Sequence, residues 1–489
     1  MDLNTSKLEL TKPQPSHDDI HFKSKFGSFG KRHIQAGLLF LCLFTIFFLR
    51  VNMSVAIVSM TDKNSSNVNF HEFKWSEREK SAILSSFFWG YLVIQTPAGQ
   101  LGQKFSPKLL LLVTNLISAF LAALIPTASY SGGWKLLCAI RAAQGLCQGF
   151  VVPLSYNLAS KWAPLSERNR FVGLAMNGGT LGATLALPLC GLLAQSSGGW
   201  PSVFYFSACL GLCWTLLWAW LGADSPATHT TISLKEREYI ESSLSHTTST
   251  KVYKTPWKAI LTSVPFWALI AAHLGNGWGF SILITETPSF INSVLNFDIG
   301  ANGFLSALPF LCMWLFAFPV CWLADYLQKN NIVSNNFVRK FWTTISQGGS
   351  AIALITLGYI GYDAVAAMVT LTIAVTVSAF LFSGFNINHL DLSPNFVGVL
   401  MGIANGLENV STIIAPLTVG LFVQNPDSLE EWRSVFMLTA CVALTGNAIF
   451  VIFGSTNVQP WNIPDYEDDL EQHHQQQAKK QRNNNNFKI

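Results

Sequence analysis

Along this chain, long uncharged apolar runs alternate with short polar connections. A bilayer core about 30 Å thick takes about 20 apolar residues of helix, and a helix satisfies its own backbone polar groups in lipid. On that measure the pattern predicts twelve spans, near residues 34–60, 80–101, 108–130, 134–160, 170–194, 201–222, 262–288, 301–324, 338–360, 364–388, 395–424 and 432–454. A polar stretch at 223–261, with Lys235-Glu236-Arg237-Glu238 and a Ser/Thr run, divides them six and six. The expected organisation is an N-terminal segment at 1–33, a first half at 34–222, the linker, a second half at 262–455 and a tail at 456–489. The N-terminal segment carries no cleavable signal pattern, and the tail, rich in His, Gln and Asn, reads as unstructured.

Short repeats relate the two halves. Leu101-Gly102-Gln103 after the second span recurs as Leu323-Ala324-Asp325 after the eighth, and Phe171-Val172-Gly173 recurs as Phe396-Val397-Gly398. Asn177-Gly178 and Pro188 recur as Asn405-Gly406 and Pro416. The expected fold class is therefore an all-α membrane protein of twelve transmembrane helices in two pseudo-symmetric six-helix halves. Parallel halves of this kind hold substrate near the bilayer midplane between them and work by alternating access.

The 31 Lys and Arg set the orientation. Of these, 23 fall on the N-terminal side of the alternating spans, six on the opposite side, and two, Arg50 and Arg141, inside spans. The excess of basic residues marks the cytosolic side, so both termini are expected in the cytosol. Asn64-Ser65-Ser66 then lies in the first outside loop, where Asn64 is a candidate glycosylation acceptor.

Composition narrows the class. Only 12% of the 489 residues are charged and 50% are hydrophobic, with a mean hydropathy of +0.34. Soluble domains carry about 25% charged residues, so a soluble enzyme is excluded. The net charge is +4 with no basic stripe, which argues against nucleic acid as a partner. All nine Cys lie in apolar stretches without a metal-type CxxC pair. No nucleotide loop or nucleophile motif is evident, so neither enzymatic activity nor a cofactor is expected beyond a coupling ion such as Na+ or H+.

Candidate chemistry sits where polar groups interrupt the spans. A guanidinium in hydrocarbon is costly unless it faces a polar cavity or a counter-charge. Arg50 lies ten residues before the outer end of its span and Arg141 seven residues after the start of its own, depths of roughly 15 and 10 Å. Both are substrate candidates for an anion, because the planar fork matches carboxylate or phosphate; a structural ion pair or snorkelling is the alternative. Gln148, two turns beyond Arg141, faces the same cavity if Arg141 does. Gly145 and Gly149 on that helix suit close helix packing. Glu408, near mid-membrane, reads as a proton site, a counter-ion to an Arg, or a neutral buried carboxyl. His273 reads as a hydrogen-bonding residue or a relay. Asn276 and Asn386, with Asn177 and Asn388, offer neutral hydrogen bonds to a solute or between helices. Asp325 is expected to cap a neighbouring helix or pair with an Arg and so hold an inside gate shut, with Gln103 as its uncharged counterpart.

Several motifs then carry a resemblance. They are Arg50-Val51-Asn52-Met53-Ser54-Val55-Ala56, Phe87-Phe88-Trp89-Gly90-Tyr91, Arg141 with Gln144-Gly145 and Gly149, and Ser160-Lys161-Trp162-Ala163-Pro164 with Glu167-Arg168. Later come Gly384-Phe385-Asn386, Asn388-His389-Leu390-Asp391 with Pro394, and Gln459-Pro460-Trp461. Over residues 34–464 the chain resembles the major facilitator superfamily. Within it, the likeness is to the anion:cation symporters that include sialin, vesicular glutamate transporters and type I sodium-phosphate cotransporters, above all the insect-type inorganic phosphate cotransporters. The resemblance implies secondary transport of a small anion, phosphate or a carboxylate, with Arg50 and Arg141 at substrate positions and Arg168 and Asp391 in gating motifs. Transport is expected to be driven by a cation gradient, sodium first, or by the membrane potential, in a plasma or endolysosomal/vesicular membrane; a proton-coupled sialin-like carrier and a non-transporting receptor or scaffold of the same fold are the alternatives. Leu84 and Asn276 stand where vesicular glutamate transporters carry His and Arg, which disfavours that substrate. Gln148 stands where sialin has a proton-coupling Glu, and an amide does not titrate.

Overall fold

A computed structural model describes residues 29–61, 70–244, 253–293, 299–360, 363–423, 425 and 428–463 of the chain. The sequon at Asn64 and the polar tail beyond 463 lie outside the described residues. Twelve spans form: α1 (Lys31–Thr61), α2 (Glu77–Lys104), α3 (107–132), α4 (134–162), α5 (Arg168–Gln195), α6 (Gly199–Leu221), α7 (Val264–Ser293), α8 (Ile299–Lys329), α9 (335–357), α10 (364–392), α11 (Val397–Phe422) and α12 (Leu429–Phe453). Every boundary falls within five residues of the sequence expectation.

Local chemistry sets the ends. Ser76 and Glu79 form a reciprocal capping box at the start of α2, and Ser106 caps α3 with Pro107 in the first turn. Gly133, at φ +58°, breaks α3 from α4 in a conformation that only glycine adopts without strain. Two spans are irregular. A π turn at Thr344–Gly348 interrupts α9, and a 3₁₀ turn at Ser378–Phe382 interrupts α10 beside it.

The first six spans form one half and the last six the other. The connection between them is docked where it is described. Its helix, Leu234–Leu244, docks on the face that carries both described chain ends: Glu236 accepts from the backbone N–H groups of Lys31 and Arg32 and pairs with the buried Arg32 guanidinium at 3.1 Å. Glu167 holds the same guanidinium at 2.7 Å. A carboxylate at the first N–H groups of α1 satisfies donors that have no partner within the helix.

Small residues let backbones meet. A Cβ at Gly145 would lie 1.9 Å from the Phe87 carbonyl, and one at Gly149 would lie 2.2 Å from the Ile94 side chain, so α4 packs directly on α2. Across the halves, a Cβ at Gly99 of α2 would lie 2.3 Å from the Gly398 carbonyl of α11. On the side of the chain ends one apolar core runs through both halves, joining Leu158, Ala159 and Phe171 to Ile387, Leu390, Val397 and Met401.

Candidate functional site

Arg50 projects from α1 toward the seam between the halves. Its guanidinium lies over four rings, with Phe88 at 4.8 Å, Tyr91 at 5.0 Å, Phe87 at 5.4 Å and Phe47 at 5.6 Å from its carbon to the centroids. Its Nη2 donates to Asn409 Oδ1 of α11 at 2.9 Å. Arg50 is only half-buried. The negative faces of aromatic rings stabilise a cation by about 0.5–2 kcal/mol each, without supplying a charge. The cage holds the guanidinium in place without a direct ion pair, and Glu408 acts on it only through space.

Arg141 behaves differently. It is 2% exposed, donates to the backbone carbonyls of Leu49 and Arg50 at 3.4 and 3.2 Å and to Gln144 Oε1 at 3.1 Å, and lies over Phe87. It does not converge with Arg50 on a shared opening; it grips the backbone that carries Arg50. Gln148 also departs from expectation. It is buried and donates to Ser118 of α3 at 3.0 Å, so the residue one turn from Arg141, Gln144, is its partner instead. Counting turns along α4 missed that this face packs against α3.

The second half brings three separate candidates together. His273 Nδ1 lies 2.7 Å from one Glu408 oxygen, and Asn276, one turn later on α7, donates to the other at 2.9 Å. Both carboxylate oxygens are thus engaged without Arg50, although Glu408 lies within electrostatic reach of it. His273 meets Phe385 and His389 edge to face at 4.7 and 4.8 Å. Asn386 contributes its backbone carbonyl rather than its amide, accepting from Tyr156 of α4 at 3.0 Å. Asn405 donates to Tyr91 and Gln95 of α2 at 2.9 and 3.0 Å. Neither Tyr91 nor Asn405 was singled out from the sequence for this contact, because a pair 314 residues apart leaves no local pattern.

A dense charged network closes the face that carries the chain ends. Asp325 at the end of α8 accepts from the backbone N–H groups of Asn169 and Arg170 at 3.0 Å each, from the Asn169 amide at 2.7 Å and from Arg170 Nε at 2.8 Å. It therefore both caps α5 and pairs with an Arg. Asp391 takes Arg339 at 2.7 Å and Arg168 at 3.6 Å; Arg339 also donates to Asn169 and to the Ser383 carbonyl. Arg339, 2% exposed, is the member of this network that sequence reasoning missed: in a polar loop-to-helix junction it reads as an ordinary surface cation. Gln103 makes only a 2.9 Å bond to the Asn395 carbonyl.

The hydrogen bonds that join the halves run from Arg50–Asn409 at mid-membrane, through Asn177 to the Trp314 carbonyl at 2.8 Å, down to this network. At the chain-end face the two halves are held together by this network, while Arg50 and Glu408 each keep part of their surface exposed.

The comparisons agree with this geometry. A family model described as Major Facilitator Superfamily matches residues 39–416. A Drosophila melanogaster protein named "Putative inorganic phosphate cotransporter" is 36% identical, covering 90% of this chain and 88% of its own. Human sialin is 35% identical, covering 89% and 91%. The proton:xylose symporter XylE superposes with a TM-score of 0.66 over 88% of this chain and 98% of its own at 13% identity, a likeness of fold. Twelve spans in two related halves, a sealed face and these matches have one reading: the chain is a multi-pass membrane transporter, not an enzyme, and belongs to the major facilitator superfamily.

Proposed function

We propose that this protein is a secondary active transporter of a small anion, inorganic phosphate or a small carboxylate, which it carries by alternating access in symport with a cation. One observation carries the reading: Arg50 reaches the seam with ring faces and the Asn409 amide oxygen as its direct partners, while both oxygens of the nearby carboxylate, Glu408, are taken by His273 and Asn276. A solute anion bonded to the Arg50 fork would supply the direct charged partner that this guanidinium lacks. The names of the matched relatives, a phosphate cotransporter and sialin, point to the same class.

In this reading Arg50 receives the anion with its planar fork, displacing Asn409, and the aromatic cage fixes the guanidinium plane. Arg141 positions Arg50 through the carbonyls of residues 49 and 50. Asn276 and His273 set Glu408, and Asp325, Asp391 and Arg168 form the gate. The face that carries the chain ends is the cytosolic one, following the distribution of Lys and Arg, and Asn64 on the other side is the candidate glycan acceptor.

The test is uptake of a panel of labelled anions into proteoliposomes under imposed sodium, proton or voltage gradients. Arg50→Ala is expected to abolish uptake with the protein still folded, and Arg50→Lys, which keeps a point charge but loses the fork, to retain a fraction. Full uptake by Arg50→Ala overturns the anion-site assignment.

A further inference from the structure

Arg50 and Glu408 carry opposite charges at the seam and do not meet. Each is held by neutral groups instead. The guanidinium rests on ring faces and on Asn409 Oδ1 at 2.9 Å, and the carboxylate takes His273 Nδ1 at 2.7 Å and the Asn276 amide at 2.9 Å. Asn409 follows Glu408 directly in α11, so the group that occupies the cation and the anion itself are neighbours on one helix.

Glu408 belongs to the seam rather than to the interior of its own half. Its charge reaches Arg50 of α1 and Tyr156 of α4, both in the opposite half, and its side chain keeps 17% of its surface exposed. Gly277 of α7 makes room for its stem, since a Cβ there would lie 2.6 Å from Glu408 Cγ.

The histidine beside it does not cancel its charge. His273 is 1% exposed, and its Nε2 has no hydrogen-bond partner. A protonated ring has an N–H at both nitrogens and would bury one of them without an acceptor, whereas a neutral ring with its proton on Nδ1 leaves only a lone pair there. That ring donates to one oxygen and Asn276 to the other, which is the pattern an ionised, acceptor-only carboxylate takes. Among the described residues no Lys or Arg forms an ion pair with Glu408. A carboxylate has about four acceptor positions, so two neutral donors leave the rest free.

Opposite charges attract across several ångströms in a low dielectric, and a purely structural pair closes on itself. Here the packing holds the two apart. That arrangement complements a solute that carries both signs.

We infer that Glu408 receives a positively charged end of the solute: the transported carboxylate also bears an ammonium group, which meets Glu408 while the carboxylate meets Arg50. An ammonium has N–H donors for the free lone pairs, in charge-assisted bonds. Inorganic phosphate brings no positive charge, and Glu408 repels what Arg50 attracts. The inference rests on the proposed anion site at Arg50 and narrows its substrate from phosphate or a carboxylate to an amino-bearing carboxylate.

Pairs of acids that differ by one amino group test this. Thermal unfolding of the purified full-length protein is followed in titrations with succinate and aspartate, with propionate and β-alanine, and with inorganic phosphate, at neutral pH and constant ionic strength. The amino member of each pair is expected to half-saturate the rise in Tm at a concentration lower by about tenfold or more, with phosphate the weakest of the series. Glu408→Gln, which keeps the length and a polar head but no charge, is expected to erase the preference within each pair and to improve phosphate binding severalfold. Glu408→Asp, which keeps the charge on a shorter stem, is expected to retain part of the preference, and Arg50→Ala to weaken both members of each pair. Equal half-saturation within the pairs in the unaltered protein overturns the inference and leaves the anion site standing. So does a preference that persists in a folded Glu408→Gln protein. Binding of both members that survives intact in Arg50→Ala overturns the anion site instead, and the absence of a response to every acid overturns both.

Discussion

Asn in place of Asp325 is the sharpest probe of the gate. The carboxylate accepts four hydrogen bonds, two from Asn169 and two from Arg170, all across the seam. An Asn side chain keeps one acceptor oxygen for Asn169 but turns an NH₂ group toward the two Arg170 donors, and it removes the charge at the first turn of α5. Bonds to a charged group contribute about 1.5–3 kcal/mol each when buried. Arg170 is 43% exposed, so its ion pair is discounted to about 0.2–1 kcal/mol. The backbone bond and the helix-terminus charge then dominate, and a loss of about 3 kcal/mol from the sealed state is expected, or about 100-fold in population at about 1.4 kcal/mol per tenfold. Nature has placed a reporter beside it. Cys321, one turn before Asp325, is 3% exposed with its Sγ packed against Gly173 of α5, and separation of α8 from α5 uncovers it. Thiol labelling of Cys321, read by mass spectrometry, is expected to accelerate by one to two orders of magnitude in Asp325→Asn. A change below threefold in a folded variant refutes the assignment of Asp325 as the latch.

Other consequences are independent. Gly99→Val sets a branched side chain where the Gly398 carbonyl leaves no room, so the sealed face cannot close; uptake is expected to fail and Cys321 labelling to rise while the protein stays in the membrane. Gly145→Leu forces α4 off the Phe87 carbonyl within one half, an overpacking cost of about 1–3 kcal/mol or more, and is expected to lower Tm rather than shift labelling. Glu236→Ala leaves Arg32, 1% exposed, paired with Glu167 but without its second carboxylate; losing charged hydrogen bonds of about 1.5–3 kcal/mol is expected to be seen as a fall in Tm. Asn409→Ala removes the bond that an anion must displace at Arg50 and is expected to tighten half-saturation for the anion in uptake assays.

What the sequence made legible was what length and chemical type decide locally. Span positions follow from runs of apolar residues, and the break at Gly133 lies where Ser131-Gly132-Gly133 interrupts one. The cap and ion pair of Asp325 were legible because an acid just past an apolar run, with Gln103 at the matching position of the other half, has few other contacts open to it there. Glu408, His273 and Asn276 were each visible as polar residues in lipid, and the spacing of 273 and 276 puts both on one face, but only packing shows that they share a carboxylate. Gln148 failed for the converse reason. Helical periodicity puts it on the Arg141 side of α4, yet that side is divided between α1 and α3, and Ser118 takes it. The π turn in α9 was hidden entirely, since Thr344-Ile345-Ser346-Gln347-Gly348 carries no proline and its irregularity arises from bonding to α10 and α7.

The two charged regions obey opposite rules, and the difference explains how the molecule moves. At the chain-end face Asp325 and Asp391 meet Arg170, Arg339 and Arg168 directly, so charges are matched while the face is shut. Several of those bonds end on backbone N–H or C=O groups that water can serve equally well once the face opens, so the network is strong enough to seal and cheap enough to break. At the seam the guanidinium of Arg50 is met directly by ring faces, Tyr91 and one amide oxygen, and by Glu408 only through space. Isolating that charge from solvent is unfavourable until an anion accompanies it. Closure over the site is therefore expected to be less favourable when it is empty than when an anion accompanies Arg50, which is the behaviour that the proposed symport requires. The asymmetry lies in the residues themselves: Asp325 against Gln103 at the gate, and Arg50 without a fixed carboxylate of its own at the seam.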